Sequence, residues 1–271
     1  MIRKLRRSIA VQLVFSTLVA VLVSGVSAAS DDAASQHDHA SLYASLYAEL
    51  LEQFTSETSA TVQTRVDYKG LGADPRWKQL LKHVEKVNPK SLNTQHEKIA
   101  FWSNAYNIFA IDLVISAYPV ESIKDIGSFF TPVWDHEAGR VAGRTYNLDE
   151  IEHEILRPLK EPRVHGAIVC ASISCPPLAR TPFTPDGLEQ ELNAIVTRWL
   201  SSPTKGLRID RQSKTVTISK IFDWFESDFD AAGGPLAFAS PHLPDADAQW
   251  IRAHRDELEI EHFDYDWGLN N

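Results

Sequence analysis

Two cysteines, a histidine and two serines share one short stretch, Val164 to Pro177, and their types are those of thiol chemistry: His165, Cys170, Ser172, Ser174 and Cys175. A cysteine attacks as its thiolate, and a histidine within hydrogen-bond reach lowers the thiol pKa and carries the proton. Cys175 is the better nucleophile, because Pro176 and Pro177 forbid both helix and ladder and so expose the turn, whereas Cys170 closes an apolar run. His165 is the preferred base, and His153 is an equal candidate if Cys175 faces a neighbouring element. Glu152 is available to orient the imidazole, and Asn104 or Asn107 to donate to an oxyanion. Such a set would hydrolyse an amide or thioester, or transfer an acyl or thiol group.

The same cysteines support a second reading. A Cys170–Cys175 disulfide would close a six-residue loop and contribute roughly 2 kcal/mol on the loop-entropy model. It requires the two Cα atoms to come within about 7 Å, which a reversing loop permits. The stiffened turn would display His165, Ser172 and Ser174 as a non-catalytic small-ligand binding module. Redox exchange fits less well, since the spacing is Cys-x4-Cys rather than Cys-x-x-Cys. Zinc would need Cys175, His165 and His153 or Asp135, with His136 nearby, but no His-x3-His spacing supports it. No metal and no other cofactor is therefore expected.

Several elements must position these groups. Thr94 to Tyr118 predicts a long helix, opened by the capping-box pattern Thr94-Gln95-His96-Glu97 and closed before Pro119. Trp102, Asn104 and Asn107 lie near its inward face, where each amide must be paired, either by tying down a neighbouring loop or by meeting a ligand. Asn147 to Arg157 predicts a second helix that carries Ile151, Ile155 and Leu156 inward together with Glu152 and His153. His165 to Val169 is almost wholly apolar, which suits a central strand buried on both faces. Val133–Asp135 and Arg140–Ala142 read as a hairpin joined through His136–Gly139, with Arg144–Tyr146 continuing it.

Further helices are expected over Ser41–Phe54, Pro75–Val87, Pro185–Leu200, Ile221–Phe229 and Ala246–Leu258. Leu207–Asp210 with Thr215–Ser219 forms a second hairpin, and Ile260–Tyr265 a closing edge strand with Trp267 folded back onto the body. Together they predict an α+β fold: a helix-rich single domain, residues 41–271, packed on a small mixed or antiparallel β-sheet.

The N-terminus sets the compartment. Arg3, Lys4, Arg6 and Arg7 precede an apolar run to Val26 and small residues at Ser27–Ala29, the pattern of a secretory signal peptide over residues 1–29. Residues 30–40 are small and polar and predict a disordered lead. The mature protein is expected to be periplasmic or secreted, an uncleaved N-terminal anchor being the alternative. No later stretch reads as long and apolar enough to cross a membrane. Loss of the leader removes four positive charges and no negative ones, taking the net charge from −9 to −13. Without a basic patch or basic amphipathic helix, neither nucleic acid nor anionic lipid is an expected partner, which leaves a small molecule or peptide.

Phe101-Trp102-Ser103-Asn104-Ala105-Tyr106-Asn107, Leu148 through Arg157, Pro162-Arg163-Val164-His165 through Ser174-Cys175-Pro176-Pro177, and Tyr265-Asp266-Trp267-Gly268-Leu269-Asn270 occur in order along the chain. So do Val66-Asp67-Tyr68 and Phe222 through Phe229. This series resembles the bacterial domain-of-unknown-function family numbered 547, with Gly268 standing where serine is expected. The resemblance runs from about Val66 onward. It implies a single domain and an enriched set of polar positions, Asn104, Asn107, Glu152, His153, His165 and Cys175, with no settled activity attached.

Overall fold

The computed structural model describes residues 42–128 and 130–271. The predicted signal peptide and disordered lead lie outside them. The chain begins with helix α1 (42–54), strands β1 (Thr55–Glu57) and β2 (Thr64–Val66), and helices α2 (Tyr68–Ala73), α3 (Pro75–Lys86) and α4 (Gln95–Ala117). The hairpin β3 (Gly139–Val141) and β4 (Arg144–Tyr146) leads to α5 (Leu148–Glu150), which continues as a π-helical stretch, Ile151–Leu156, and a 3-10 turn, Arg157–Leu159. Next come α6 (Val164–Ala167), α7 (Leu188–Leu200), β5 (Leu207–Asp210), β6 (Thr215–Ile218), α8 (Ile221–Trp224), α9 (Glu226–Phe229), α10 (Pro235–Ala239), α11 (Asp245–His254) and β7 (Glu259–His262).

Among the described residues the strands form three small sheets. β1 with β2 and β3 with β4 are antiparallel pairs, and β6 is central in a mixed sheet, antiparallel to β5 and parallel to β7. The expected α+β class, rich in helix over small sheets, is the observed one.

α4 organises the interior. Thr94 caps it as expected: its hydroxyl accepts the Glu97 N–H at 3.1 Å, while the Glu97 carboxylate accepts the Thr94 N–H at 2.7 Å. Ile99 and Ala100 join an apolar cluster built on α7, β5, β6 and α8, whereas Phe101 onward joins one built on α1, α3 and α5. A helix shared by two cores is buried nearly all round. That explains a correction: α4 is, by length and composition, apolar enough to span a membrane, but 83% of its most apolar window is buried inside the protein.

The predicted central strand His165–Val169 does not form. Val164–Ala167 is a short helix, with Gly166 so close to α7 that a Cβ there would lie 2.7 Å from the Val196 side chain. The backbone beyond it is satisfied by a side chain rather than a strand: Asn107 donates to the Ala167 carbonyl at 2.9 Å and accepts the Val169 N–H at 2.8 Å.

The first hairpin is shifted. Val133–Asp135 is a 3-10 turn, and the strands meet through Ala142 and Gly143, both at positive φ. A two-residue turn with two left-handed positions matches strand twist, and glycine takes one of them without steric cost. The second hairpin forms where expected. Ile221–Phe229 breaks into two short helices at Phe225, and the chain after β7 leaves the sheet at Phe263.

Candidate functional site

The cysteines lie on a loop pinned from several sides. After α6 the chain runs extended to Cys170, and Ala171 takes a left-handed conformation (φ 58°) that L residues rarely adopt. Two pairings hold it there. Residues from Asp266 to Asn270 run beside the loop, with Ile173 N–H on the Gly268 carbonyl at 2.8 Å, Ser174 N–H on that of Asp266 at 3.2 Å and Asn270 N–H on that of Ala171 at 3.1 Å. From the other side comes Lys205, 1% exposed, whose ammonium donates to the carbonyls of Val62 at 3.0 Å, Ile173 at 3.2 Å and Cys175 at 2.6 Å. Lys205 can turn inward because the α7–β5 turn folds tightly at Gly206, where a Cβ would run into the Trp199 carbonyl. Burial brings its pKa down to about 8, against the pull of the Cys175 charge.

Both cysteines are free, so the predicted Cys170–Cys175 bridge is not the observed arrangement. Instead the Cys170 N–H donates to the Cys175 sulfur at 2.9 Å. The Cys170 sulfur in turn lies 3.2 Å from the hydroxyls of Ser172 and Tyr265, and Ser172 donates to the Tyr265 oxygen at 3.1 Å. This polarity separates the two thiols. Burial alone would push Cys175 up, but donors from the Cys170 thiol, the Tyr265 hydroxyl, the Cys170 amide and Ser172 outweigh it and hold Cys175 below the ordinary thiol range. Burial and the adjacent sulfur raise Cys170 instead, so it keeps its proton.

Cys175 faces a cavity of about 490 Å³ whose floor also carries Cys170, Glu152 and His165. Glu152 reaches it from the π-helical part of α5. Pro158 has no N–H for the preceding turn, and Arg157 N–H reaches back five residues to the Glu152 carbonyl. The Glu152 carboxyl accepts a long hydrogen bond from the Tyr106 hydroxyl at 3.4 Å. Burial first, and the Cys175 charge second, lift its pKa to about 7.

Behind Glu152, His165 is 2% exposed and sandwiched against Phe225, ring centroids 4.3 Å apart. Its Nε2 lies 2.7 Å from Asp228 Oδ2, and its Nδ1 3.9 Å from Glu152 Oε1. Asp228 is held ionised by that imidazole and by a bidentate bond from Arg157, at 2.6 and 2.8 Å. Burial lowers the His165 pKa despite Asp228. The neutral ring therefore carries its hydrogen on Nε2, a tautomer assigned from its partner, and turns the Nδ1 lone pair toward Glu152. His153 sits at the rim, between Arg157 at 2.6 Å and Asp149 at 3.4 Å.

The structure thus gathers Cys175, Cys170, Glu152, His153 and His165 around one cavity. It does not bring the other candidates there. Asn104 donates to the Phe183 carbonyl and accepts the Phe183 N–H, both at 2.9 Å, and Asn107 is consumed in the same way by Ala167 and Val169. Trp102 packs on Phe101 and Tyr146 inside the core. Ser172 serves the thiol loop, and Ser174 accepts the Asp266 N–H at 2.9 Å. Among the described residues no group of three or more His, Cys, Asp or Glu side chains is placed to hold a metal ion.

Sequence reasoning assigned no site role to Asp228, Tyr265 or Lys205. Asp228 and Tyr265 lie in acidic, aromatic patterns, Phe222–Phe229 and Asp264–Trp267, that read first as packing. Lys205 lies in the polar turn Ser-Ser-Pro-Thr-Lys-Gly, where nothing marks it.

The class so defined is an α+β domain with a buried thiol, carboxyl and imidazole around one open cavity. Residues 89–200 match the family model described as "Protein of unknown function, DUF547", so the family resemblance is shown over that span. The match takes in α4, α5, His165 and both cysteines, and it stops at the end of α7, short of Lys205, Asp228 and Tyr265. No curated protein and no solved structure matches the chain.

Proposed function

We propose that the protein is a thiol-dependent hydrolase or acyl transferase with Cys175 as nucleophile. The observation that carries this is the hydrogen bond from the Cys170 N–H to the Cys175 sulfur, made on the floor of a cavity that Glu152 also lines. Four neighbouring donors favour the thiolate, and a carboxyl with a pKa of about 7 holds a proton beside it.

Glu152, rather than His165, is then the proton carrier, and His165 fixed by Asp228 is a positioning group behind it. The thiolate attacks an acyl carbon, forming a C–S bond. The C–N bond of an amide breaks, and its nitrogen leaves with the Glu152 proton. Water then gives a proton to the Glu152 carboxylate and its oxygen to the acyl carbon, and the C–S bond breaks to release the acid and restore the thiolate. An acceptor amine or thiol in place of water makes the same step a transfer. The leader-like N-terminus supports an exported setting for this chemistry.

Alkylation with iodoacetamide, mapped by peptide mass spectrometry, tests the reading. Cys175 is expected to label ahead of Cys170 at neutral pH, and Cys175→Ser to abolish fast labelling together with turnover on an amide and thioester panel. Unchanged labelling in Cys175→Ser, or preferential labelling of Cys170, overturns it.

A further inference from the structure

The upper wall of the cavity has a chemistry that the thiol step does not use. Trp134, Trp224, Phe225, Tyr265 and Trp267 line it. Four of them form a continuous aromatic surface: Trp267 meets Trp134 at 5.5 Å, Trp224 at 5.7 Å with planes 20° apart, and Tyr265 at 4.5 Å. Trp224 remains 45% exposed, although a tryptophan of a folded chain is ordinarily well covered. Two carboxylates, Asp135 and Asp149, share the lining with Glu152, and no lysine or arginine does.

Aromatic faces are negative at their centres and attract cations, while carboxylates unmatched by a lining cation repel anions. The chain already sets two cations of its own on these rings. The Lys124 ammonium lies 4.8 Å from the centre of the Trp267 ring, and the Arg157 guanidinium 5.2 Å from that of Phe225.

We infer that the cavity binds a cationic group on an apolar stem, an alkylammonium such as a lysine-like or polyamine-like chain. The stem lies along Ile168, Ile221 and Pro132, and the cation meets the tryptophan wall and Asp149. The inference rests on the proposed thiol chemistry and gives it a substrate class: amides or thioesters that carry a fixed positive charge. Carboxylate-bearing acyl compounds are disfavoured by the same lining.

Binding is tested on the full chain carrying Cys175→Ser, so that no turnover enters the measurement. Titration calorimetry compares pentyltrimethylammonium with hexanoate, a cation and an anion that each carry a pentyl stem. The ammonium is expected to bind at least about tenfold more tightly. Trp267→Leu is expected to weaken it by about fivefold. Asp149→Asn, at a half-exposed position where folding is not at stake, is expected to weaken it by about threefold, with the effect lost in high salt. Equal or tighter binding of hexanoate, no saturable binding of the ammonium in the millimolar range, or indifference to both substitutions overturns the inference. The thiol reading fails separately, on the labelling of the parent chain, which this titration does not touch.

Discussion

Two sets of buried polar groups lie on either side of the His165–Cys175 segment, and they are treated in opposite ways. On the α4 side, Asn104 and Asn107 each make a matched pair of hydrogen bonds to backbone, all between 2.8 and 2.9 Å. Those amides stand in for a neighbouring strand, and neither lines the cavity. On the cavity side, the Glu152 carboxyl finds a hydroxyl at 3.4 Å and an imidazole nitrogen at 3.9 Å. Full pairing makes a buried polar group a structural fastener, whereas incomplete pairing beside open volume leaves a proton free to move.

The sharpest way to break this contrast is Asn107→Leu. It leaves the Ala167 carbonyl and the Val169 N–H buried without partners, and is expected to cost about 4 kcal/mol of stability in urea denaturation. A cost below about 1 kcal/mol would show that α4 does not fasten the loop.

Glu152→Gln should move stability in the other direction. The folded-state pKa of Glu152 is raised from 4.5 to about 7, so its contribution is fully present below 4.5 and is lost as pH rises through about 7. The loss amounts to about 3 kcal/mol. The glutamine variant lacks this slope and is expected to outlast the parent on the alkaline side of that window while losing the proton carrier. A parallel pair of stability curves against pH would contradict the assignment.

Lys205→Met addresses the thiol without touching the cavity. Removal of the buried ammonium from the Cys175 carbonyl is expected to move the alkylation midpoint of Cys175 up by roughly one pH unit. An unmoved midpoint would reduce Lys205 to a fastener like Asn107. The smallest effect belongs to Ser174→Ala, which removes one acceptor from the Asp266 N–H and should cost about 1 kcal/mol with an unchanged alkylation profile.

Much of this contrast was legible in residue types and local spacing. The capping box at Thr94, the helix carrying Glu152 and His153, the β5–β6 hairpin and the likeness of Cys175, His165 and Glu152 to a reactive set all follow from local rules. What escaped depends on partners distant in sequence. The apolar run at His165 reads as a strand, because nothing local reveals that an asparagine 62 residues earlier will satisfy its backbone. The roles expected for Asn104 and Asn107 at an oxyanion fail for the same reason. Asp228 orients His165 from 63 positions away, and the π-helical turn that aims Glu152 inward depends on a proline beyond the residue it re-aims.

The pairing of residues 266–270 with the cysteine loop also has a kinetic meaning. Tyr265 and Ser172 are 93 positions apart, so their contact closes a long loop, and such contacts form after local helices and hairpins. Until that closure the folding chain lacks the Tyr265 hydroxyl beside its thiols, so the full distinction between Cys170 and Cys175 is expected only once this long-range pairing has formed. Thiol reactivity is thus expected to report that closure, read at a single sulfur atom.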